Sequence, residues 1–159
     1  MGHETDEREN GYIELNFGPR WKYIAVVRGF IANFLAVSIT DTVLSDGVAM
    51  AASELLENAV KYANADETQV RLGLDAATGT IQVSVTNSAS PEAIAGLRAL
   101  WEKVSAGDPL QAYLTLMREA ATRSDGKSQL GLARIRHETK AEMNLDIKGN
   151  RVTISLAYS

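Results

Sequence analysis

The sequence predicts an α+β fold: a two-layer α/β sandwich in which a mixed, mainly antiparallel sheet is covered on one face by helices. Three observations predict it. Two pairs of alternating runs, TQVRLGL with TIQVSVT and NLDIK with VTISLAY, are each joined by a short turn containing glycine, the pattern of a hairpin. Stretches of helical period lie before the first pair and between the two pairs. No internal repeat divides the chain, so helices and hairpins must share one sheet and one core.

The elements follow in order. After a polar leader, residues 1–10, YIELNF alternates as a short strand, and Gly18-Pro19 ends it. A long apolar helix is expected from about Arg20 to Ile39. Thr40 or Asp41 caps the next helix, which runs through SELLENAVKYA and stops near Asn64. The DAATG turn links the first strand pair. Ser90 with Pro91 opens the helix PEAIAGLRALWEKV, and the Gly107-Asp108-Pro109 break introduces LQAYLTLMREAA. TRSDGKSQ is a polar loop. Helix is expected again over LGLARIRHETKAEM, and the chain finishes on the second hairpin around Gly149-Asn150.

Composition bounds the function. A chain of 159 residues fills one good core and is short for two, so a single domain over residues 11–159 is expected. The formal charge of -4 supplies no broad positive field, so neither nucleic acid nor an anionic membrane is an expected partner. Cysteine is absent, which removes disulfides and thiolate chemistry and is compatible with the cytoplasm. The two histidines, His3 in the leader and His137 in a charged helical run, give a zinc site no material. A catalytic triad would have to use His137, which reads better as a solvated side chain. The apolar run from Tyr23 to Ile39 is short for a membrane span and is broken by Arg28, Gly29 and Asn33. It reads as a helix buried on more than one face, which suggests a homodimer.

SELLENAVKYA carries the first chemical signal. At about 100° per residue, Asn58 projects roughly 40° from Glu54 and Lys61 roughly 20° to the other side. A carboxylate, an amide and an ammonium therefore share one face, while Val48, Ala52, Leu55, Leu56, Ala59 and Ala63 form the stripe that lies on the core. Taken alone, such a face is ordinarily solvated.

GKSQLGLARI, residues 126–135, carries the second. A glycine loop running into a helix offers free backbone N–H groups at the positive end of a helix dipole, a phosphate-binding arrangement. It is not a P-loop, because Gly126-Lys127-Ser128 lacks the upstream glycine and Gly131 is followed by Leu132.

Together the two stretches resemble the motifs of the Bergerat-fold, histidine-kinase-like (GHKL) ATPases, and among these the small anti-sigma-factor serine/threonine kinases. Glu54 to Tyr62 looks like the family's N box and Gly126 to Leu132 like its second glycine box; their order, and the hairpin and helical insert between them, also fit. The resemblance covers the chain from about residue 12 onward. It implies ATP and Mg²⁺ as cofactors, Glu54 as the catalytic base, Asn58 as the metal ligand and Lys61 as a phosphate contact. It also implies that the backbone around Ser128, Gln129, Leu130 and Gly131 cradles phosphates beneath a lid loop. Tyr62 either flanks the nucleotide or packs at its helix end, and Thr153 either helps read adenine or is a strand residue that favours β structure.

One motif departs from the family's pattern. Where its Asp-x-Gly-x-Gly box places an aspartate on the adenine amino group, this chain has VTNSASPEAI, with Asn87 in that position. The amide oxygen of Asn87 can accept a hydrogen bond without the strengthening charge. A subset, the SiaB-like regulators, resembles this sequence more closely, with an asparagine there and a long helical insert. The function implied is a cytoplasmic switch kinase that phosphorylates a serine or threonine of a small STAS-like anti-sigma antagonist; the partner implied is a STAS-domain protein of that kind or a sigma-like regulator. The alternative is an inactive interaction module that sequesters its partner. A sensor-kinase ATPase half is disfavoured, since about forty residues between leader and N box leave no room for a phospho-acceptor helix pair.

Overall fold

The computed structural model describes residues 11–122 and 130–159. Its strands are β1 (Gly11–Phe17), β2 (Ala63–Asp75), β3 (Thr80–Ala89), β4 (Glu142–Lys148) and β5 (Arg151–Tyr158). They form one five-stranded sheet in the order β1-β2-β3-β5-β4, with every neighbouring pair antiparallel. The helices are α1 (Trp21–Ser38), α2 (Thr42–Tyr62), α3 (Pro91–Ser105), α4 (Pro109–Thr122) and α5 (Leu130–Glu138). The expected two-layer α+β architecture is the one observed.

Strand alternation separates the two faces of the sheet. Val70 and Leu72 of β2, Ile81, Val83 and Val85 of β3, and Val152, Ile154 and Leu156 of β5 are buried beneath the helices. The opposite face is polar: the register places Asn16, Gln69, Thr86, Thr153 and Asp146 in one row across all five strands. A face of that composition needs no covering layer, which is why helices lie on one side only.

Helix α2 is the central beam. Asp41, one of the two expected caps, accepts from the backbone N–H groups of Val43 (3.0 Å) and Leu44 (3.2 Å). Below it Val48, Ala51, Ala52, Leu55, Leu56 and Ala59 are buried, and the small residues among them let α2 lie close to its neighbours. Helix α1 packs on α2 through Ile24, Val27, Ile31 and Leu35. Arg28 locks the pair from outside, its Nη2 on Glu57 at 2.8 Å and its Nε on Ser53 at 3.0 Å. The other side of α1 is open: Val26 is 58%, Phe30 57% and Val37 86% exposed.

The structure corrects two element boundaries. β2 begins at Ala63, directly after α2, where helix was expected to continue to Asn64. Helix α5 ends at Glu138 rather than near Met143, and Glu142–Met143 belong to β4. The Thr139 hydroxyl donates to the Ile135 carbonyl at 2.7 Å and accepts from the Ala141 N–H at 3.4 Å, diverting the backbone from the helix. Beyond it Met143, Leu145 and Ile147 alternate inward with period two and pair with β5. The insert residues Leu100, Val104 and Leu116 are core, with Leu97, Trp101 and Tyr113 packed against it, while Leu110 and Met117 are exposed. Among the described residues, no helix is long and apolar enough to cross a membrane.

Candidate functional site

A cavity of about 400 Å³ opens between α2, α3 and the C-terminal end of β3. Its floor is aliphatic, built from Val85, Val152 and Ile154 of the sheet with Leu55 and Ala59 of α2 and Leu132 of α5. Its polar wall is Asn58 and Tyr62 from α2, Asn87 from β3, and Ser90 and Glu92 at the start of α3. Apolar walls with a few convergent polar groups, at this volume, are the usual make-up of a small-molecule site.

The sequence places these groups by simple rules. Asn58 lies one helical turn from Leu55 and beside Ala59, so core packing of those two aims the amide along the cavity wall. Asn87 follows Val85 by two residues and shares its face of β3. It is 8% exposed, and its Nδ2 donates to the Ser88 carbonyl at 3.1 Å, so Oδ1 is the acceptor it can offer a ligand. Ser90 is committed to capping α3, where its hydroxyl accepts from the Ala93 N–H at 3.1 Å. Along the α3 wall, a Cβ added at Gly96 would meet nothing within 4 Å, so the missing side chain leaves cavity space rather than relieving a clash.

Glu54, one residue before Leu55, turns toward α5. A Cβ built on Gly131 would sit 2.5 Å from Glu54 Oε2, so only glycine lets the carboxylate pass over the start of that helix. The other oxygen, Oε1, accepts from Arg134 Nη1 at 3.3 Å, and Arg134 Nε reaches Glu138 Oε2 at 3.1 Å. Glu138, and to a lesser degree Glu54, raises the pKa of Arg134 above the ordinary arginine value, so the guanidinium stays charged. The N-box helix and the segment that begins at Leu130 thus meet in space, across Glu54 and Gly131.

The other expected residues fall out as follows. Lys61 is half-buried in the last turn of α2 and does not line the cavity. Thr153 is turned away from it: its hydroxyl lies 2.8 Å from that of Thr86 on the polar face of the sheet, while its neighbours Val152 and Ile154 face the cavity. Alternation along β5 keeps Thr153 off the cavity face, so the expected adenine contact is not available to it there. Leu130 is half-buried at the first residue of α5. Gly126, Ser128 and Gln129 lie outside the described residues. His137 is exposed and stacks on Tyr113 with ring centroids 5.4 Å apart, away from the cavity. Arg134, Glu92 and Gly96 were not singled out from sequence; Arg134 stands three residues after Gly131, the spacing that puts both on one helix face.

The model of the family described as "Histidine kinase-like ATPase domain" matches residues 17–156. The chain belongs to this family. No curated protein sequence matches it. Among solved structures, this histidine kinase-like ATPase domain is similar to a chain of the SiaB-SiaC complex from Pseudomonas aeruginosa, with a TM-score of 0.68 and 17% identity, covering 97% of this chain and 93% of that one. It is also similar to a structure of the RsbU and RsbW domains of a Mycobacterium tuberculosis protein, with a TM-score of 0.56 and 18% identity, covering 93% of this chain and 32% of that one. At these identities the likeness concerns the fold.

The residues present suit the nucleotide that this family implies. A flat base fits between aliphatic walls, and Asn87 offers an acceptor at the inner end. Among the described residues no cluster of three or more His, Cys, Asp or Glu could hold a metal. Asn58, on the cavity wall, carries an amide oxygen of the kind Mg²⁺ takes beside phosphate oxygens and water.

Proposed function

We propose that this domain binds Mg-ATP in the cavity and phosphorylates a serine or threonine of a small partner protein. The observation that supports this most is the contact of Glu54 with Gly131 beside a cavity walled by Asn58 and Asn87. The partner hydroxyl oxygen attacks the γ-phosphorus, the bond from that phosphorus to the β–γ bridging oxygen breaks, and ADP leaves with the electron pair. The hydroxyl proton passes to Glu54. Bound Mg²⁺ supplies charge neutralisation; Asn58 orients it, Asn87 reads the base, and Lys61 meets phosphate from the end of α2. Ser128, Gln129, Leu130 and Gly131 cradle the phosphates, Gly126 belongs to the lid, and Tyr62 flanks the nucleotide.

One fold neighbour comes from the SiaB-SiaC complex of Pseudomonas aeruginosa, an assembly of two proteins, and for this chain a protein partner is likewise proposed: a STAS-like anti-sigma antagonist in the cytoplasm, as the resemblance of its motifs implies. A second reading rests on Asn87. With an amide where the family's pattern has a carboxylate, the domain would hold its partner without using ATP. Titration with ATP, with and without Mg²⁺, separates the two. Saturable, magnesium-dependent binding that weakens at least tenfold in Asn58→Ala supports the kinase; absence of binding at millimolar nucleotide leaves only the sequestering module.

We also propose a homodimer formed through the open side of α1. Val26, Phe30 and Val37 recur on one exposed apolar stripe, a surface suited to an identical copy across a two-fold axis. Phe30→Glu is expected to convert a dimeric sedimentation mass to a monomeric one; a parent that already sediments as a monomer at micromolar concentration removes the dimer.

A further inference from the structure

Arg134 is a poor candidate for a residue kept for stability. Its side chain is 42% exposed, and its two ion pairs are the kind worth roughly 0–1 kcal/mol. What it does is geometric. One planar guanidinium spans two helices, taking Glu54 of α2 on Nη1 and Glu138 of its own helix on Nε. Glu54 is the less exposed of these carboxylates, at 20%, and both of its oxygens face α5: Oε1 pairs with Arg134, and Oε2 lies 2.5 Å from where a Cβ on Gly131 would stand. A glutamate has three side-chain torsions to fix. An ion pair on one oxygen and a helix backbone close beside the other, at positions three residues apart on α5, narrow the orientations open to the carboxylate.

We infer that Arg134 is a positioning residue that anchors Oε1 of Glu54, with Glu138 as its own support, so that Oε2 is the oxygen that receives the substrate proton. The inference rests on the kinase reading above. Arg134 acts through Glu54 and touches neither nucleotide nor partner hydroxyl. Its removal therefore lowers turnover while leaving ATP affinity alone, because a displaced base costs rate and not ground-state binding. Lysine in its place keeps the charge but cannot bridge two carboxylates with one rigid fork, so it restores only part of the rate.

The test is a double-mutant cycle on phosphotransfer to the partner, with ATP affinity measured in parallel. Arg134→Ala is expected to lower kcat about 10- to 100-fold with the Kd for ATP within threefold of the parent. Arg134→Lys is expected to fall between the two, as is Glu138→Ala, which removes only the support. In a Glu54→Gln background, Arg134→Ala is expected to have no further effect on the residual rate. Three kinetic results overturn the inference: an unchanged kcat in Arg134→Ala, an increased kcat, which would make the ion pair a brake, or an equal loss in the Glu54→Gln background, which would give Arg134 a role of its own. A weakened ATP Kd would likewise overturn it by making Arg134 a binding residue. A parent that binds ATP yet transfers nothing, or binds none, defeats the kinase reading itself and this inference with it; a working parent indifferent to Arg134 defeats the inference alone.

Discussion

A Glu54→Gln chain is expected to bind Mg-ATP as the parent does and to transfer its γ-phosphoryl group about 10²- to 10⁴-fold more slowly, the span of a lost general base. The amide keeps the shape of the side chain and can still meet Arg134 through its oxygen, so packing at the α2 and α5 contact survives. It loses the negative charge and with it the capacity to take a proton. Gly131→Ala reaches the same carboxylate by another route. The new methyl group would stand 2.5 Å from Oε2, so Glu54 must swing away from α5 and release Arg134. Helix α5 gains a better helix former in exchange for glycine, so stability falls little or rises. The expected pattern is therefore impaired transfer in both variants without a matching loss of thermal stability. Equal transfer by parent and Glu54→Gln, measured under single-turnover conditions, would remove Glu54 as the base.

The parts of this fold that were legible in the sequence are those set by local rules. The DAATG and Gly149-Asn150 turns placed both hairpins, and Gly79 and Gly149 do adopt the positive φ values, 72° and 63°, that such turns require. Asp41 and Ser90 announced two helices, and both side chains cap as expected. The end of α5 was not legible, because ARIRHETKAEM has helical charge spacing throughout and the competing strand is chosen by its pairing with β5, a nonlocal partner.

At the site, the meeting of Glu54 with Gly131 could be anticipated from two motifs, but the occupants of their surroundings could not. Arg134 looked like one more charge on a solvated helix until α2 was placed beside it. Thr153 is the instructive case. VTISLAY already alternates apolar and polar, so its apolar members had to face the core and Thr153 the other side. That signal was available and outweighs the resemblance.

Loss of the Arg136 side chain is expected to destabilise the domain by about 1.5–2 kcal/mol and to loosen the wall of the cavity. The last carbonyls of a helix have no partners within it, and Arg136 reaches one of these in α3 together with two just past its end. Arg136 Nη1 donates to the Val104 carbonyl and, at 3.3 Å, to that of Ala106, while Nη2 donates to the Gly107 carbonyl at 2.7 Å. The positive charge also sits at the negative end of the α3 dipole. Only the bond to Val104 is partly shielded from water, which holds the expected cost at the low end of the range for charged hydrogen bonds. Arg136 belongs to α5 and α3 forms one wall of the cavity, so this contact ties the helix carrying Gly131 to the helix carrying Glu92 and Gly96. Arg136→Ala should thus lower the denaturant midpoint, raise amide exchange selectively in the last turn of α3, and weaken nucleotide binding without touching a nucleotide contact. Arg136→Lys, able to reach one carbonyl but not fork across several, should recover less than half of the lost stability. Unaltered exchange in that turn, with an unaltered midpoint, would show that water replaces the guanidinium at no cost and that α3 is held by its buried face of Leu100 and Val104 alone.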